Sequence, residues 1–473
     1  MVSRIWFGRY ISPVKYVERV DKLKSFITSP SSWFSAKRNR TFSYNIKTLL
    51  KPERIIVNHS ANRKEFTASD VDFEAVASLY KDFMENVLLG EAKITEKAVS
   101  AESEYFAALK GKSVFVSYGN KTDARLVSMS LSNSSENKIT SDNSEIKDIL
   151  IAFNDNVLNN VYVYIADGKT GNVTKYSVEY NKAKFDNLIN DIFAETIGGN
   201  IPSYSFELNF HKSAEGSMAK VLFSPTILLD VTPKKTQGIG RKNVEVFAEN
   251  GEIPSETENA VLRAFKINPL TMRKMLDSSG MVFVENYGTL SVSPAGIVEF
   301  KAVEGSGGMA LFENEPESSY NIYNTTTLAV DFISDVCMAF SDSMLDNLKI
   351  NCELTSSQGK SGRYEFKFDY FIDGAPVLIS SDGEMKSAIE MVIENGQLMS
   401  YRHYLRQYFK TEDVFEGMTS ISAADKIVEN TPENELPIYI NRLGTCYIDD
   451  EDEVLRRAWK IDIEGKNGAV FVE

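Results

Sequence analysis

Cysteine and histidine are scarce in this chain, with three of each among 473 residues. Cys337, Cys352 and Cys446 form no close pair, and an odd number cannot all pair internally. That argues against a disulfide framework and for buried free thiols. His59, His211 and His403 stand at no metal-ligand spacing from one another, and none is close to a cysteine in sequence. No zinc-type site is therefore expected. His59 and Ser60 are adjacent but lack the third group a nucleophilic triad needs.

Long apolar runs are missing too. No stretch of 18 apolar residues occurs, and there is no apolar core or cleavage site of a signal peptide. Basic charge is outweighed, with 52 Lys and Arg against 66 Asp and Glu and a formal charge of −14. Such a surface offers no groove for phosphates, so nucleic acid is not an expected partner. No G-x-S-x-G elbow occurs. Gly238-Ile239-Gly240 follows Lys234-Lys235, but without a clean strand before it or a helix after it, so it fails the context for phosphate binding. The run Asp449, Asp450, Glu451, Asp452, Glu453 lacks the spacing and glycine of a calcium loop. It reads as the charged front of a helix or turn. No catalytic residue, cofactor or metal is predicted.

Aromatic residues and period-two patterns are plentiful. The chain has 28 Phe and 21 Tyr. Over 364–370, Tyr364, Phe366, Phe368 and Tyr370 share one parity while Glu365, Lys367 and Asp369 occupy the other, a strand with one face buried. Asp373-Gly374, Asp382-Gly383 and Asn395-Gly396 are turn signals between further β-rich runs. The same reasoning predicts a hairpin over 157–180, a meander over 281–302, and strands over 125–129 and 204–210. Three-to-four spacing predicts helices over 70–88, 185–197, 255–265, 270–276, 325–340 and 422–430. A short amphipathic helix is expected over 17–27, and Lys37, Arg38 and Arg40 form a small basic cluster.

The fold class expected is α+β: several domains with antiparallel sheets and flanking helices, the last two being small α+β units in tandem. The expected division is a membrane-proximal segment and linker at 1–40, an N-terminal α+β domain at 41–240, a middle domain with a β-meander at 241–320, and C-terminal units at 321–473. Tyr and Arg are enriched at interfaces, so Tyr401, Arg402, Tyr404 and Arg406 are the candidate partner surface.

Two stretches carry a resemblance. NAVLRAFKINPL with VFVENYGTLSVSPAGIVEFKA, within 259–302, resembles the YycH family. So does FDYFIDGAPV with SAIEMVIENGQLMSY, within 368–401, followed by the AW-x-I-x-I pattern of Ala458, Trp459, Ile461 and Ile463. The resemblance covers the second half well and the first half only in layout, and its motifs are structural. It implies a non-enzymatic regulator of the WalK/WalR two-component system of Firmicutes, controlling cell-wall metabolism. A WalK-type sensor histidine kinase and a YycI-like protein would be its partners, and a homo-oligomer is open. It also implies a single-pass membrane protein with most of this chain extracytoplasmic. Arg4, Ile5, Trp6, Phe7 and Gly8 would be the outer edge of a membrane helix absent from this chain. The alternatives are a cell-wall glycan-binding module or hydrolase, and a structural envelope protein.

Overall fold

The computed structural model describes residues 50–473, apart from 60–61, 68–69, 71, 154–159, 168–171, 195–200, 211–218, 231, 234, 279, 313–320, 341–347, 357–361, 451 and 467. The expected helix over 17–27, the basic cluster, His211 and the membrane-proximal segment lie outside the described residues, as does the side chain of Cys352. The architecture is α+β, with several sheets, flanking helices and more than one domain.

The first unit is a seven-stranded sheet, fully antiparallel among the described residues. Its order is Asn62–Thr67, Arg54–His59, Ser113–Asp123, Glu145–Phe153, Asn160–Asp167, Val173–Glu179 and Lys93–Val99. Strand alternation sends Ile55, Val57, Val114, Val116, Ile149, Ile151, Val163 and Ile165 to one face. That face packs under Phe73–Leu88, Ala124–Ser132 and Ala183–Ala194. Ile56, Phe115, Leu150 and Tyr164 point the other way, beneath Glu102–Lys110 and the Tyr204–Phe206 aromatic pair. Both faces are covered, which explains why these strands are almost continuously apolar.

The second assembly is a longer sheet of 15 described strands. A meander, Arg273–Asp277, Gly280–Val284, Gly288–Val292 and Ile297–Ala302, leads into Gln397–Tyr404, Ile389–Glu394, Arg363–Ile372 and Ala375–Ser381. The helices Ser255–Ala264 and Ile322–Phe340 cover this half. Ala375–Ser381 then meets Ile438–Asp449 in parallel, through Val377, Leu378 and Ile379 opposite Tyr447, Ile448 and Asp449. Beyond that seam lie Arg456–Ile463 and Val470–Val472, with Ser420–Glu429 packed on them. Two α+β units therefore share one sheet edge to edge.

Several local expectations are corrected. Residues 125–129 are helical, within Ala124–Ser132. Asp123 caps this helix by accepting from the Arg125 amide, and Asn133 ends it in the left-handed region. The interspersed serines disguise the helical spacing of Ala124, Val127 and Leu131. Residues 273–277 form an exposed edge strand, because pairing with Gly280–Val284 overrides helix propensity. Tyr204 closes a two-residue strand, and a 3-10 turn follows over Ser205–Leu208. The acid run reads as the front of a helix or as a turn, and no helix begins among its described residues. Asp449 ends a strand and is buried.

An ion pair joins the N-terminal sheet to the C-terminal hairpin. Arg442 Nη2 lies 2.7 Å from Glu53 Oε2. Burial alone would raise the Glu53 carboxyl, but Arg442 and Arg54 hold it below its usual range. Gly119, at φ +76°, leaves the space the Glu53 carboxylate occupies, and a Cβ there would also sit 2.8 Å from Arg442 Nη2. Gly119→Ala is expected to lower stability by about 2 kcal/mol in urea unfolding, from left-handed strain and crowding together.

Candidate interaction surface

The expected partner surface is not a surface. Tyr401, Tyr404 and Arg406 are buried, and Arg402 is half-buried in ion pairs with Glu299 (2.9 Å) and Glu390 (3.9 Å). Tyr401 packs edge-on against Phe265 and Phe332. The alternation of tyrosine and arginine reflects a strand buried on one face and ion-paired on the other.

These residues instead build the polar interior. His403 is fully buried between two hydroxyls, with Tyr401 Oη 3.0 Å from Nδ1 and Tyr370 Oη 3.0 Å from Nε2. Tyr370 donates to the Tyr404 carbonyl at 2.9 Å, so its oxygen accepts from Nε2–H while Nδ1 accepts from Tyr401. A neutral imidazole satisfies every group. Burial, and next the charge of Arg406, push His403 down to about 3. The neighbouring cluster centres on Asp449, which lies 3.0 Å from Arg241 Nη1 and 3.6 Å from Arg406 Nε and accepts from Tyr408 Oη at 2.8 Å.

That cluster anchors a two-stranded ribbon. Lys235–Asn243 pairs antiparallel with Arg406–Glu416, and 453–455 stitches its other edge through Arg241 N to Glu453 O and Leu455 N to Ile239 O. The glycines that fail the phosphate test have their role here. A Cβ at Gly240 would lie 2.5 Å from the Phe409 ring, and one at Gly238 2.8 Å from Phe415. Each aromatic lies across the bare backbone of a glycine on the opposing strand. Ile239 turns inward and is buried. Phe409, Val414 and Phe415 remain 53%, 63% and 50% exposed, beside the exposed Val454. This exposed apolar cluster on the ribbon is a feature that sequence reasoning missed. The signal was present as two glycines with i, i+2 spacing and two phenylalanines on a second strand, but their pairing spans more than 160 residues.

His59 stacks on Phe193 at 5.6 Å. Cys337 and Cys446 are buried free thiols, and burial pushes both upward, Cys446 to about 12. Among the described residues, no group of three or more His, Cys, Asp or Glu is placed to hold a metal ion.

No family model and no curated protein matches the chain. Among solved structures, the crystal structure of YycH from Bacillus subtilis is similar, with a TM-score of 0.57 at 14% identity, covering 90% of this chain and 97% of that one. The two proteins share a fold. The likeness to YycH therefore extends through the N-terminal sheet, where the sequence resemblance had reached only the layout. The single-pass membrane placement is corrected. No helix among the described residues is long and apolar enough to cross a membrane.

Proposed function

We propose that this chain is a non-enzymatic regulator of a two-component sensor histidine kinase of the WalK type, acting by protein–protein contact. The fold shared with YycH over nearly the whole length carries the reading. The YycH-like stretches in 259–302 and 368–401, and the ribbon surface, add to it. A regulator of this kind works by differential affinity: it binds one signalling state of the kinase better than another and shifts the population by that difference. A YycI-like protein is a further partner.

The ribbon is the surface by which the kinase or its co-regulator is held. Exposed Phe409, Val414 and Phe415 supply the aromatic and aliphatic anchors an interface core needs. Co-expression with the cognate kinase is expected to give a complex and an altered autophosphorylation level. The double variant Phe409→Ser, Phe415→Ser should weaken that complex by at least about 2 kcal/mol. Its unfolding midpoint should move little, since both rings are half exposed. An unchanged phosphorylation level with the wild-type chain present would remove the regulatory reading. An intact complex with the double variant would remove only the surface.

A further inference from the structure

Beneath the ribbon lies a cleft of about 710 Å³, roofed by Thr236, Ile239 and Phe415 and floored by Tyr447, Leu455 and Trp459. Its walls are chiefly carbon, Met418, Val454 and Val472 among them, with Glu416, Arg456 and Glu473 also bordering it. The volume is that of a small-ligand site. At one end it shares Thr236, Met418, Tyr447, Arg457 and Trp459 with a second, polar chamber of about 570 Å³. The strand Arg456–Ile463 explains this division. Arg457 and Trp459 share one parity and line both chambers, while Ala458, of the other parity, packs in a small core with Cys446 and Ile448 and borders the apolar chamber alone.

Arg457 stands where the apolar chamber meets the polar one. Its Nη1 donates to Thr236 Oγ1 at 2.5 Å, which fixes the guanidinium against the ribbon. It forms no ion pair with a carboxylate among the described residues, although Glu53, Glu65, Asp70, Asp230 and Asp373 line the polar chamber and Glu416 and Glu473 border the apolar one. Several of these acids already hold another cation. Arg456 pairs with Asp450 and Glu473, Arg241 and Arg406 share Asp449, and Lys410 pairs with Asp373 at 2.6 Å. A half-buried guanidinium with remaining donors and no carboxylate in direct contact can take an anion, and its planar fork fits carboxylate and phosphate oxygens.

We propose that this cleft binds an amphiphile, a single aliphatic chain in the apolar chamber with an anionic head on Arg457. The inference stands apart from the regulatory reading, and its test involves no kinase. Trp459 lines both chambers and reports occupancy by its fluorescence; the other two tryptophans, Trp6 and Trp33, lie outside the described residues. The full chain is titrated with decanoate, dodecanoate, dodecyl phosphate and dodecanol, each below its critical micelle concentration, by fluorescence and calorimetry.

The expected result is saturable one-to-one binding of dodecanoate or dodecyl phosphate, with affinity rising about four-fold per methylene. Whichever head binds more tightly identifies a carboxylate or a phosphate source. Dodecanol should bind at least ten-fold more weakly. Arg457→Gln should remove the anion's advantage over dodecanol while leaving dodecanol unchanged, a pattern misfolding would not give. Equal affinity for dodecanol and dodecanoate, independence of chain length, or an unresponsive Trp459 would each overturn the proposal, and all three are read on the unmodified protein.

Discussion

Asp449→Ala is expected to destabilise the protein by about 3–5 kcal/mol, the largest single-residue effect foreseen here. The carboxylate is buried and serves Arg241, Arg406 and Tyr408 together. Arg406 is itself buried, and the other hydrogen bonds of its guanidinium among the described residues go to main-chain oxygens, Ala295 O at 2.7 Å and Leu405 O at 3.1 Å. Removing Asp449 leaves a buried guanidinium without its counter-charge, and that desolvated charge is what costs most. The loss is also local. Arg241 belongs to one strand of the ribbon and Tyr408 to the other, so Asp449 is their common tie to the long sheet. Urea unfolding should show the global loss, and hydrogen exchange should show the amides of 235–243 and 406–416 opening first. Exchange unchanged in the ribbon would mean that the strand pairing alone holds it.

Acidification from pH 6.5 toward 4.5 is expected to weaken the fold at about 1.4 kcal/mol per pH unit, because of His403. The folded value of about 3 is depressed below the ordinary 6.5. The unfolded chain thus takes up a proton in this interval and the folded chain does not. The stabilising contribution is fully present above about pH 6.5 and is lost as pH falls toward the folded value. The cause is visible in the hydrogen bonding: a second proton on the ring would face Tyr401, whose own O–H already donates there. Glu53, Glu207 and Glu299 are also held low, but as carboxylates they add their loss only below about pH 4.3. The two windows separate. His403→Gln should flatten the slope between pH 6.5 and 4.5 while costing about 1–3 kcal/mol at pH 7.5. A slope that persists in the variant would assign the effect to other groups.

What could be read from the sequence was local. The parity of Phe366, Phe368 and Tyr370 survives as a buried strand face, and Asp373-Gly374 and Asn395-Gly396 turn with both residues at positive φ. The meander of 281–302 stands, because its strands pair with their sequence neighbours. Failures came where distant partners decide. Tyr401 and Arg402 look alike as interface residues, and only the helix Ile322–Phe340 above one and Glu299 beside the other show that both are occupied. Asp449 reads as one acid among five until Arg241, 208 positions away, is placed against it. Residues 273–277 favour a helix in isolation and become a strand because Gly280–Val284 offers an edge.

The parallel seam has a consequence for the order in which the molecule is made. Ile438–Asp449 lies alongside Val221–Phe223 as well as Ala375–Ser381, so its two parallel neighbours come from segments left behind more than two hundred and about seventy residues earlier. Loop closure over such separations is slow compared with hairpin formation. The N-terminal sheet and the meander precede Ile438–Asp449 in the chain and can assemble before it is made, whereas that strand docks late onto an edge left open for it. Until then, the row of unpaired amides along Ala375–Ser381 is a place for quality-control factors to hold the nascent protein.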